Sequence, residues 1–331
     1  MATAHRADLS LLRRAARLAM VAAALAGPPA AAQPYPAKPV RLIVPYGSGG
    51  GSDVLARQIG AGLQAMWKQA VVVDNRPGAS GNIGTEAVVR APADGYTLLL
   101  QNSTMVVNPA IAGRLHYDPE LDLTPIMLLG LTPIALFAHP AAGIGNVREL
   151  VEASNANPAA LSYGSCGIGT PQHFVMELLK LKIGVAAAHT AYKGCAPGLT
   201  DLLGGQIPLA MLSANLGAPY VASGKLRAVG VSTASRYALL PDAPTFEEQG
   251  LRPLDFSIWY ALMGPAKLPP ETVGRIRADV DKVLADARVR AQLQGAGVEP
   301  LQGSAAELAA LIREDLLRYQ QLAKSANIKA E

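Results

Sequence analysis

Two glycine-rich turns hold the residue types of this 331-residue chain that are best suited to binding chemistry. In residues 46–53, three consecutive glycines precede Ser52 and Asp53, between an apolar strand-like run and a helical pattern. Glycines allow a backbone to approach a ligand closely, and the free N–H groups of a helix N-terminus attract anions. The Gly-Lys-Ser/Thr of a nucleotide-binding loop is missing, which argues against a nucleotide site. The turn is therefore either an anion site or an ordinary helix cap with Ser52 or Asp53 as the capping oxygen.

The second turn, residues 165–170, ends at Thr170, which is predicted to cap a helix whose first residue is Pro171. A third polar turn, residues 101–104, follows another strand-like run. Neither residues 46–52 nor residues 165–170 contain Lys or Arg. Ligands of open α/β sheets bind beyond the carboxyl ends of the strands. We therefore expect a cleft that holds a small anion through amides, hydroxyls and bridging waters.

The elements that must position these turns alternate between short apolar runs and amphipathic helical patterns. Strands are predicted at residues 40–44, 71–73 and 96–100, with a helix in each gap, which is the pattern of βαβ units in a parallel sheet. A second set of such runs begins at residue 133. Near the C-terminus, the sequence Ser-Ala-Ala-Glu at residues 304–307 is a capping box that starts a long helix. These patterns predict two α/β sheets of similar size in one chain.

The composition of 50% hydrophobic and 16% charged residues excludes a disordered chain. Four arginines and a single aspartate lie in the first 32 residues, ahead of a short apolar run at residues 18–26, and three alanines follow at residues 30–32. This arrangement predicts a secretory signal peptide that is cleaved after Ala32, and hence a periplasmic location. The remainder would hold 25 basic and 24 acidic residues, a net charge of +1, which favours no nucleic acid partner.

Several short motifs, in order along the chain, indicate a family. They are YPAKPVRLIVP at 35–45, GGGSD at 49–53, DNRPGA at 74–79, GNIG at 81–84, DGYTLL at 94–99, YKG at 192–194 and LLGGQ at 202–206. From residue 35 onward the chain resembles the Bug-type periplasmic solute-binding receptors of the tripartite tricarboxylate transporter family. The resemblance implies an α/β, two-lobed Venus-flytrap fold, the type II periplasmic-binding-protein fold, with two crossover strands near residues 133–137 and 226–231. It implies a discontinuous lobe 1 of residues 33–132 and 231–331, and a lobe 2 of residues 133–230.

The resemblance also implies a function without catalysis, cofactor or metal. A monomer would capture a small carboxylate between the lobes (a dicarboxylate, tricarboxylate, acidic amino acid or aromatic acid) for a two-subunit inner-membrane permease. Asp53 is expected to organise the first turn, while residues 49–52 and 167–170 are expected to supply free N–H groups. The residues predicted to bind the ligand are Tyr46, Gly47, Ser48, Gly49, Gly50, Gly51, Ser52, Asp53, Ser103, Thr104, Ser165, Cys166, Gly167, Gly169, Thr170, His173 and Asn215.

The chain departs from the family pattern in two places. Tyr46, Gly47 and Ser48 stand where the family usually has Phe-Pro-Pro, which predicts a more polar turn. Ser213, Ala214 and Asn215 stand at the usual Asp-Asn position, so only Asn215 carries over. The acidic contact that would suit an amine-bearing ligand is therefore missing.

The two cysteines, Cys166 and Cys195, each follow a strand of neighbouring βαβ units. The exit loops of adjacent strands can meet, so we predict a disulfide between them. An alternative is a Cys–His hydrolase that uses either cysteine with His173 or His189, although no hydrolase motif surrounds them. A further alternative is a ligand sensor that acts on a signalling partner, which would have the same fold and the same ligand site.

Overall fold

The structure is a computed structural model that describes residues 35–111, 115–158, 161–252 and 254–328. The predicted signal peptide, residues 1–32, lies outside the described residues. From Lys38 onward, strands and helices alternate around one continuous mixed sheet, whose strand order is β2-β1-β3-β9-β4-β7-β5-β6. Strands β8 and β10 also pair with β4. The strands are Val40–Val44 (β1), Val71–Asn75 (β2), Thr97–Asn102 (β3), Leu123–Ala138 (β4), Ser162–Ser165 (β5), Ala188–Ala191 (β6), Leu209–Ser213 (β7), Arg227–Val231 (β8), Ser257–Pro265 (β9) and Glu299–Gly303 (β10).

Helices follow most of the strands. In the described part of the chain they are Gly51–Trp67 (α1), Asn82–Val89 (α2), Thr104–Ile111 (α3), Val147–Ala156 (α4), Pro171–Ile183 (α5), Cys195–Leu203 (α6), Ala214–Ala222 (α7), Pro270–Ala285 (α8), Ala287–Gly295 (α9) and Ala305–Ser325 (α10). The capping box predicted at residues 304–307 is confirmed at the start of α10, where Ser304 and Glu307 bond reciprocally. Helix α10 packs Leu308, Ile312 and Tyr319 into the core.

The first half of the sheet contains the predicted parallel strands. Strand β1 pairs in parallel with both β2 and β3, and the helix between each consecutive pair makes the expected βαβ units. Leu42, Ile43 and Val44 in β1 are almost completely buried. A near-continuous apolar run of this kind is typical of a parallel strand that is covered on both faces.

Strand β4 joins the two halves of the sheet. Its residues 123–133 pair antiparallel with β9, while residues 134–138 pair antiparallel with β7. The two predicted sheets are therefore joined by one long strand, whose change of partner between residues 133 and 134 lies at the crossover predicted near residues 133–137. Pro125 and Pro133 hid most of this strand in the sequence, because proline lacks the N–H that a ladder needs. The pairing tolerates Pro125 through a register shift between that residue and Met127.

In the second half of the sheet, β5 lies between β6 and β7 and is parallel to both. Strands β3, β5 and β7 each end directly before a helix or a turn that leads to one. Strand β3 ends within the polar turn at residues 101–104, where α3 begins, and strand β7 ends at Ser213, directly before α7.

Candidate functional site

A cavity of about 220 Å³ brings together parts of all three predicted turns. It is bounded by residues from both halves of the sheet. None of the side chains that line it is acidic, basic or histidine, so an anion inside would meet no fixed negative charge on the walls. The lining residues are Tyr46, Gly47, Gly50, Gly51, Ser52, Asn102, Thr104, Thr170, Pro171, Gln172, Cys195, Ser213, Ile258 and Tyr260.

Five helices of the described chain begin at this cavity. The first residues of α1, α3, α5 and α6 line it, and α7 begins directly after the lining residue Ser213. The first N–H groups of a helix have no partner inside the helix, and the helix dipole places partial positive charge there. Several such ends around one small space make an electropositive site without a cationic side chain.

Asp53 holds the first turn in place. Its Oδ2 accepts hydrogen bonds from Gly49 N at 2.9 Å and Arg57 Nε at 3.0 Å, and its Oδ1 accepts one from Asn75 Nδ2 at 3.0 Å. Burial pushes the pKa of Asp53 upward, but the hydrogen bonds from Arg57, Gly49 and Asn75 outweigh it and hold that pKa below its usual value. Asp53 is 3% exposed and does not line the cavity. As expected, it fixes the conformation of the first turn through these hydrogen bonds.

The helix-cap alternative for this turn is wrong in its detail. Helix α1 begins at Gly51, its N-cap residue is Gly50, and no side chain caps it. Gly51 is required by packing, because a Cβ placed there would overlap the hydroxyl of Tyr260. The N–H groups at the start of α1 are therefore left facing the cavity edge that Gly50, Gly51 and Ser52 form.

Tyr46 and Asn102 connect the first turn to the end of β3. Tyr46 Oη lies 2.6 Å from Gln101 Oε1 and 2.9 Å from Asn102 Oδ1, so its proton is shared between two acceptors. Asn102 Oδ1 also accepts from Thr104 N at 2.9 Å, while Asn102 Nδ2 donates to Ser52 Oγ at 3.3 Å. Burial raises the pKa of Tyr46 far above its usual value, so the phenol stays neutral.

The second turn uses its own amides. Thr170 caps α5 as predicted, with Oγ1 accepting from His173 N at 3.4 Å. Gly167 N donates to Ser165 Oγ at 3.2 Å, and Gly169 N donates to His173 Nδ1 at 3.2 Å. The Thr170 N–H in turn reaches the Gly167 carbonyl at 3.3 Å. The expectation that residues 167–170 supply free N–H groups is therefore corrected for these three amides, which bond within the turn.

Gln172 and Ser213 occupy the same wall of the cavity. Gln172 Nε2 lies 3.1 Å from Ser213 Oγ and 3.8 Å from Cys195 Sγ, and the side chain is 3% exposed. The predicted disulfide between Cys166 and Cys195 is present. The disulfide connects the second turn to the start of α6. A hydrolase would need one of the two cysteines as a free thiol nucleophile, and both sulfurs are bonded to each other.

His173 lies beneath the second turn rather than in the cavity. Its ring stacks on His189 at a centroid distance of 4.0 Å, and His189 stacks on Tyr163 at 4.8 Å. Burial, and then the neighbouring His189, lower the pKa of His173 to about 4. His173 is therefore neutral at pH 7, and its Nδ1 is free to accept the Gly169 N–H.

The sequence-predicted residues divide into two groups. Those that line the cavity are Tyr46, Gly47, Gly50, Gly51, Ser52, Thr104 and Thr170. Those that the structure places outside its lining are Ser48, Gly49, Asp53, Ser103, Ser165, Cys166, Gly167, Gly169, His173 and Asn215. The Asn215 amide instead donates to Ala296 O at 3.1 Å, and Ser103 is completely buried.

Sequence reasoning missed several lining residues. Gln172 and Ser213 carried a signal, since Gln172 is the second residue of the helix predicted after Thr170 and Ser213 stands at the usual Asp-Asn position of the family. Ile258 and Tyr260 had none, because they lie on β9, which the sequence analysis did not predict. The remaining ones are Asn102, Pro171 and Cys195.

A larger surface groove of about 830 Å³ lies elsewhere, between α10 and residues 115–122. Asp118, Glu120 and Asp122 line it together with Arg313. Three carboxylates make that groove a poor place for an anion. Among the described residues, no group of three or more His, Cys, Asp and Glu side chains is arranged to hold a metal ion. None of the described helices combines the length and the apolar character needed to cross a membrane.

Comparison with known proteins gives one consistent result. The family model described as "Tripartite tricarboxylate transporter family receptor" matches residues 55–328. A UPF0065 protein of Bordetella bronchiseptica is 36% identical over 321 residues, which cover 96% of this chain and 94% of that protein.

Two solved structures extend this similarity to the fold. The periplasmic binding protein BugD is similar with a TM-score of 0.76 and 31% identity, over 90% of this chain and all of that one. Rpa4515 of R. palustris, solved with adipate, has a TM-score of 0.78 and 31% identity, over 89% of this chain and 99% of that one. The predicted two-lobed fold of periplasmic binding proteins is confirmed by these matches.

Proposed function

Because the chain belongs to the tripartite tricarboxylate transporter receptor family, we propose that it captures a small carboxylate in the 220 Å³ cavity. The family consists of periplasmic solute-binding receptors and not of enzymes. In this proposal the mature chain begins at residue 33 and works in the periplasm as a monomer. It delivers its ligand to a two-subunit permease in the inner membrane.

The observation that carries the proposal is the convergence of helix N-termini on a cavity without charged side chains. The start of α1 offers the Gly51 and Ser52 N–H groups, and the start of α5 offers that of Gln172. The hydroxyls of Ser52 and Ser213 add donors from the side chains. Hydrogen bonds from neutral donors to a carboxylate are stronger than those between two neutral groups. A transport receptor must also release its ligand, and a site of uncharged donors is compatible with reversible binding.

The fold also supports closure around a ligand. In the proposed division, residues 33–132 and 231–331 form lobe 1 and residues 133–230 form lobe 2. Strand β4 runs through both, and its pairing changes from β9 to β7 between residues 133 and 134. The cavity walls come from both sides of this change, so a hinge motion about it would close the walls on the ligand.

A charge placed at the cavity edge tests the proposal. Gly50 has φ −80° and ψ 170°, and an added Cβ would meet no atom within 4 Å, so Gly50→Asp and Gly50→Asn both fit. Aspartate and asparagine are equally good N-cap residues, so both variants should fold with similar stability. A panel of carboxylic acids is screened on all three proteins by thermal shift, where a ligand at 100 times its Kd adds about 2.7 kcal/mol of stability.

At least one acid is expected to stabilise the unsubstituted protein. The Asn variant should keep this binding, whereas the Asp variant should lose at least a factor of about ten in affinity through like-charge repulsion. Equal binding to the Asp and Asn variants would show that the anion lies elsewhere. If no carboxylic acid in the panel raised the melting temperature while neutral or cationic solutes did, the proposed function would be wrong.

A further inference from the structure

A second cavity, of about 370 Å³, lies where α5 and α10 meet the chain that leads into β9. We call it the junction cavity, because α5 belongs to lobe 2 in the proposed division whereas the other walls belong to lobe 1. It shares no lining residue with the 220 Å³ cavity. The lining residues that matter for its chemistry are Leu178 and Lys182 of α5, Asp255 and Phe256 before β9, and Arg318 and Leu322 of α10.

Packed apolar side chains fix the walls of the junction cavity. Phe174 of α5 contacts Tyr319 of α10 edge to face at a centroid distance of 5.1 Å, and Tyr319 contacts Phe256 in the same way at 5.8 Å. Phe256 and Leu322 are 5% and 6% exposed. Because the core holds these side chains, the shape of the cavity is preformed, and an apolar group that enters it is stabilised by leaving water.

Two cationic side chains converge on the short segment before β9. Lys182 Nζ donates to Arg252 O at 3.1 Å, and Arg318 Nη1 donates to Asp255 O at 2.7 Å. A backbone carbonyl occupies one donor and cancels no charge, whereas lysine has three donors and arginine has five. Both side chains are therefore held in place with donors left for a carboxylate.

An acidic side chain, that of Asp255, also lines the junction cavity. An ionised carboxylate only accepts hydrogen bonds, so it suits an ammonium. Asp315 lies outside the lining and is buried. It fixes the guanidinium of Arg318, because Asp315 Oδ1 lies 2.8 Å from Arg318 Nη2 while its Oδ2 accepts from Trp259 Nε1 at 2.8 Å. The cavity thus combines donors for an anion, a carboxylate for a cation and apolar walls.

We propose that the junction cavity is a second ligand site, which binds a free α-amino acid with a large apolar side chain. The carboxylate of this ligand accepts from Lys182 and Arg318, its ammonium donates to Asp255, and its side chain covers the apolar walls. A ligand that lacked either charge would leave the groups of opposite sign without a partner. The site goes beyond the proposed function, because it can be filled whether or not the 220 Å³ cavity holds a carboxylate.

Helix α5 connects the two cavities. Gln172 near its start lines the 220 Å³ cavity, and Lys182 near its end lines the junction cavity, about 15 Å further along the helix axis. Both cavities take walls from both lobes, and both are formed in the lobe arrangement that the structure shows. An occupant of either one favours this arrangement, so each ligand strengthens the binding of the other by the same factor.

Matched compounds test the ligand class by calorimetric titration of Gly50→Asp, in which the 220 Å³ cavity repels acids. Phenylalanine is compared with 3-phenylpropionate, which lacks the ammonium, with phenethylamine, which lacks the carboxylate, and with alanine, which lacks the ring. Phenylalanine should bind at least about tenfold more tightly than each of these three. Equal binding of any of them overturns the ligand class, and the site itself is overturned if neither phenylalanine nor leucine binds.

Two charge reversals locate the site. Lys182→Glu should weaken phenylalanine binding at least about fivefold, because it places a negative charge beside the ligand carboxylate. Lys225→Glu makes the same change at an exposed lysine that lines neither cavity, and it should leave the affinity unchanged. Phenylalanine should also bind Gly50→Asp as tightly as the unsubstituted protein. Unchanged affinity in Lys182→Glu overturns the assignment, and a loss in Gly50→Asp instead places phenylalanine in the 220 Å³ cavity.

The coupling is measured by repeating the phenylalanine titration of the unsubstituted protein with the stabilising carboxylic acid at saturation. The affinity for phenylalanine should rise about fivefold or more. An unchanged or lower affinity overturns the coupling and leaves the second site intact. If no carboxylic acid binds the protein, the proposed function and the coupling both fall, whereas the phenylalanine titrations still decide the second site.

Discussion

Stability should fall on mild acidification because of one buried histidine. Burial, with a further contribution from the stacked His189, lowers the pKa of His173 to about 4 in the folded protein, against 6.5 for a free side chain. As the pH falls below 6.5, His173 takes up a proton in the unfolded chain but stays neutral in the folded protein. The contribution of neutral His173 to the free energy of unfolding is therefore fully present above about pH 6.5 and is lost as the pH falls towards 4.

The size of this effect follows from the lowered pKa. The pKa of His173 falls from 6.5 in the unfolded chain to about 4 in the folded protein. At about 1.4 kcal/mol for each pKa unit, this difference contributes about 3 kcal/mol to the free energy of unfolding when the histidine is fully neutral. At pH 5 about 2 kcal/mol of this has been lost, which corresponds to a fall of roughly 4–8 °C in Tm. His189 should act in the same direction, because burial lowers its pKa as well. Glu177 opposes the lowering at both rings, while Lys180 adds to it.

The assay is thermal unfolding between pH 5 and pH 7.5 for the unsubstituted protein and for His173→Asn. Asparagine keeps an oxygen that can accept the Gly169 N–H, but it does not titrate, so its curve of Tm against pH should be flatter. The absolute Tm of the variant will also drop, because the stacked ring is lost, so only the slope is diagnostic. His116→Asn, at an exposed histidine, is the control and should keep the original slope. Parallel curves for His173→Asn and the unsubstituted protein would refute the reasoning.

Three further changes give distinct outcomes. Reduction of the disulfide, or the double substitution Cys166→Ser and Cys195→Ser, should lower the free energy of unfolding by about 3–4 kcal/mol, because the bridge closes a loop of 29 positions in the unfolded chain. Chemical denaturation measures this free energy. Gly51→Ala should cost about 1–3 kcal/mol by overpacking against the hydroxyl of Tyr260 and should weaken ligand binding. Gly47→Ala, whose added Cβ would meet no atom within 4 Å, should leave the stability unchanged. Asp53→Ala should cost about 1–3 kcal/mol, because it removes a buried carboxylate that accepts hydrogen bonds from Gly49 and Asn75. It should also lower the affinity for the ligand through loss of order in the first turn.

Local signals were sufficient for much of the fold. The strand at residues 40–44 has the predicted bounds, and the capping roles of Thr170 and Ser304 are confirmed. These features depend on residues within a few positions of one another, such as a hydroxyl that accepts from an N–H three residues later. The family motifs lie in such local segments too, and they led to the correct family.

Strands whose partners are distant in sequence were harder to predict. The first part of β4 and all of β9 pair with each other, although about 130 positions separate them. Two prolines interrupt the apolar pattern of β4, and the apolar run of β9 has no alternation that distinguishes a strand from a buried helix segment. Since β9 supplies Ile258 and Tyr260, this failure also concealed one wall of the cavity.

The sequence alone determined which turns are glycine-rich, that Thr170 and Ser304 cap their helices, that a cysteine pair could close, and to which family the chain belongs. Only the tertiary structure decided which of those groups remain available to a ligand. The amides of Gly167 and Gly169 are used within the second turn, whereas the side-chain amides of Asn102 and Gln172 donate to Ser52 and Ser213 in the cavity lining. The physical reason is that these contacts join groups that are distant in sequence and that only the fold brings together, 50 residues apart for Asn102 and Ser52 and 41 residues apart for Gln172 and Ser213.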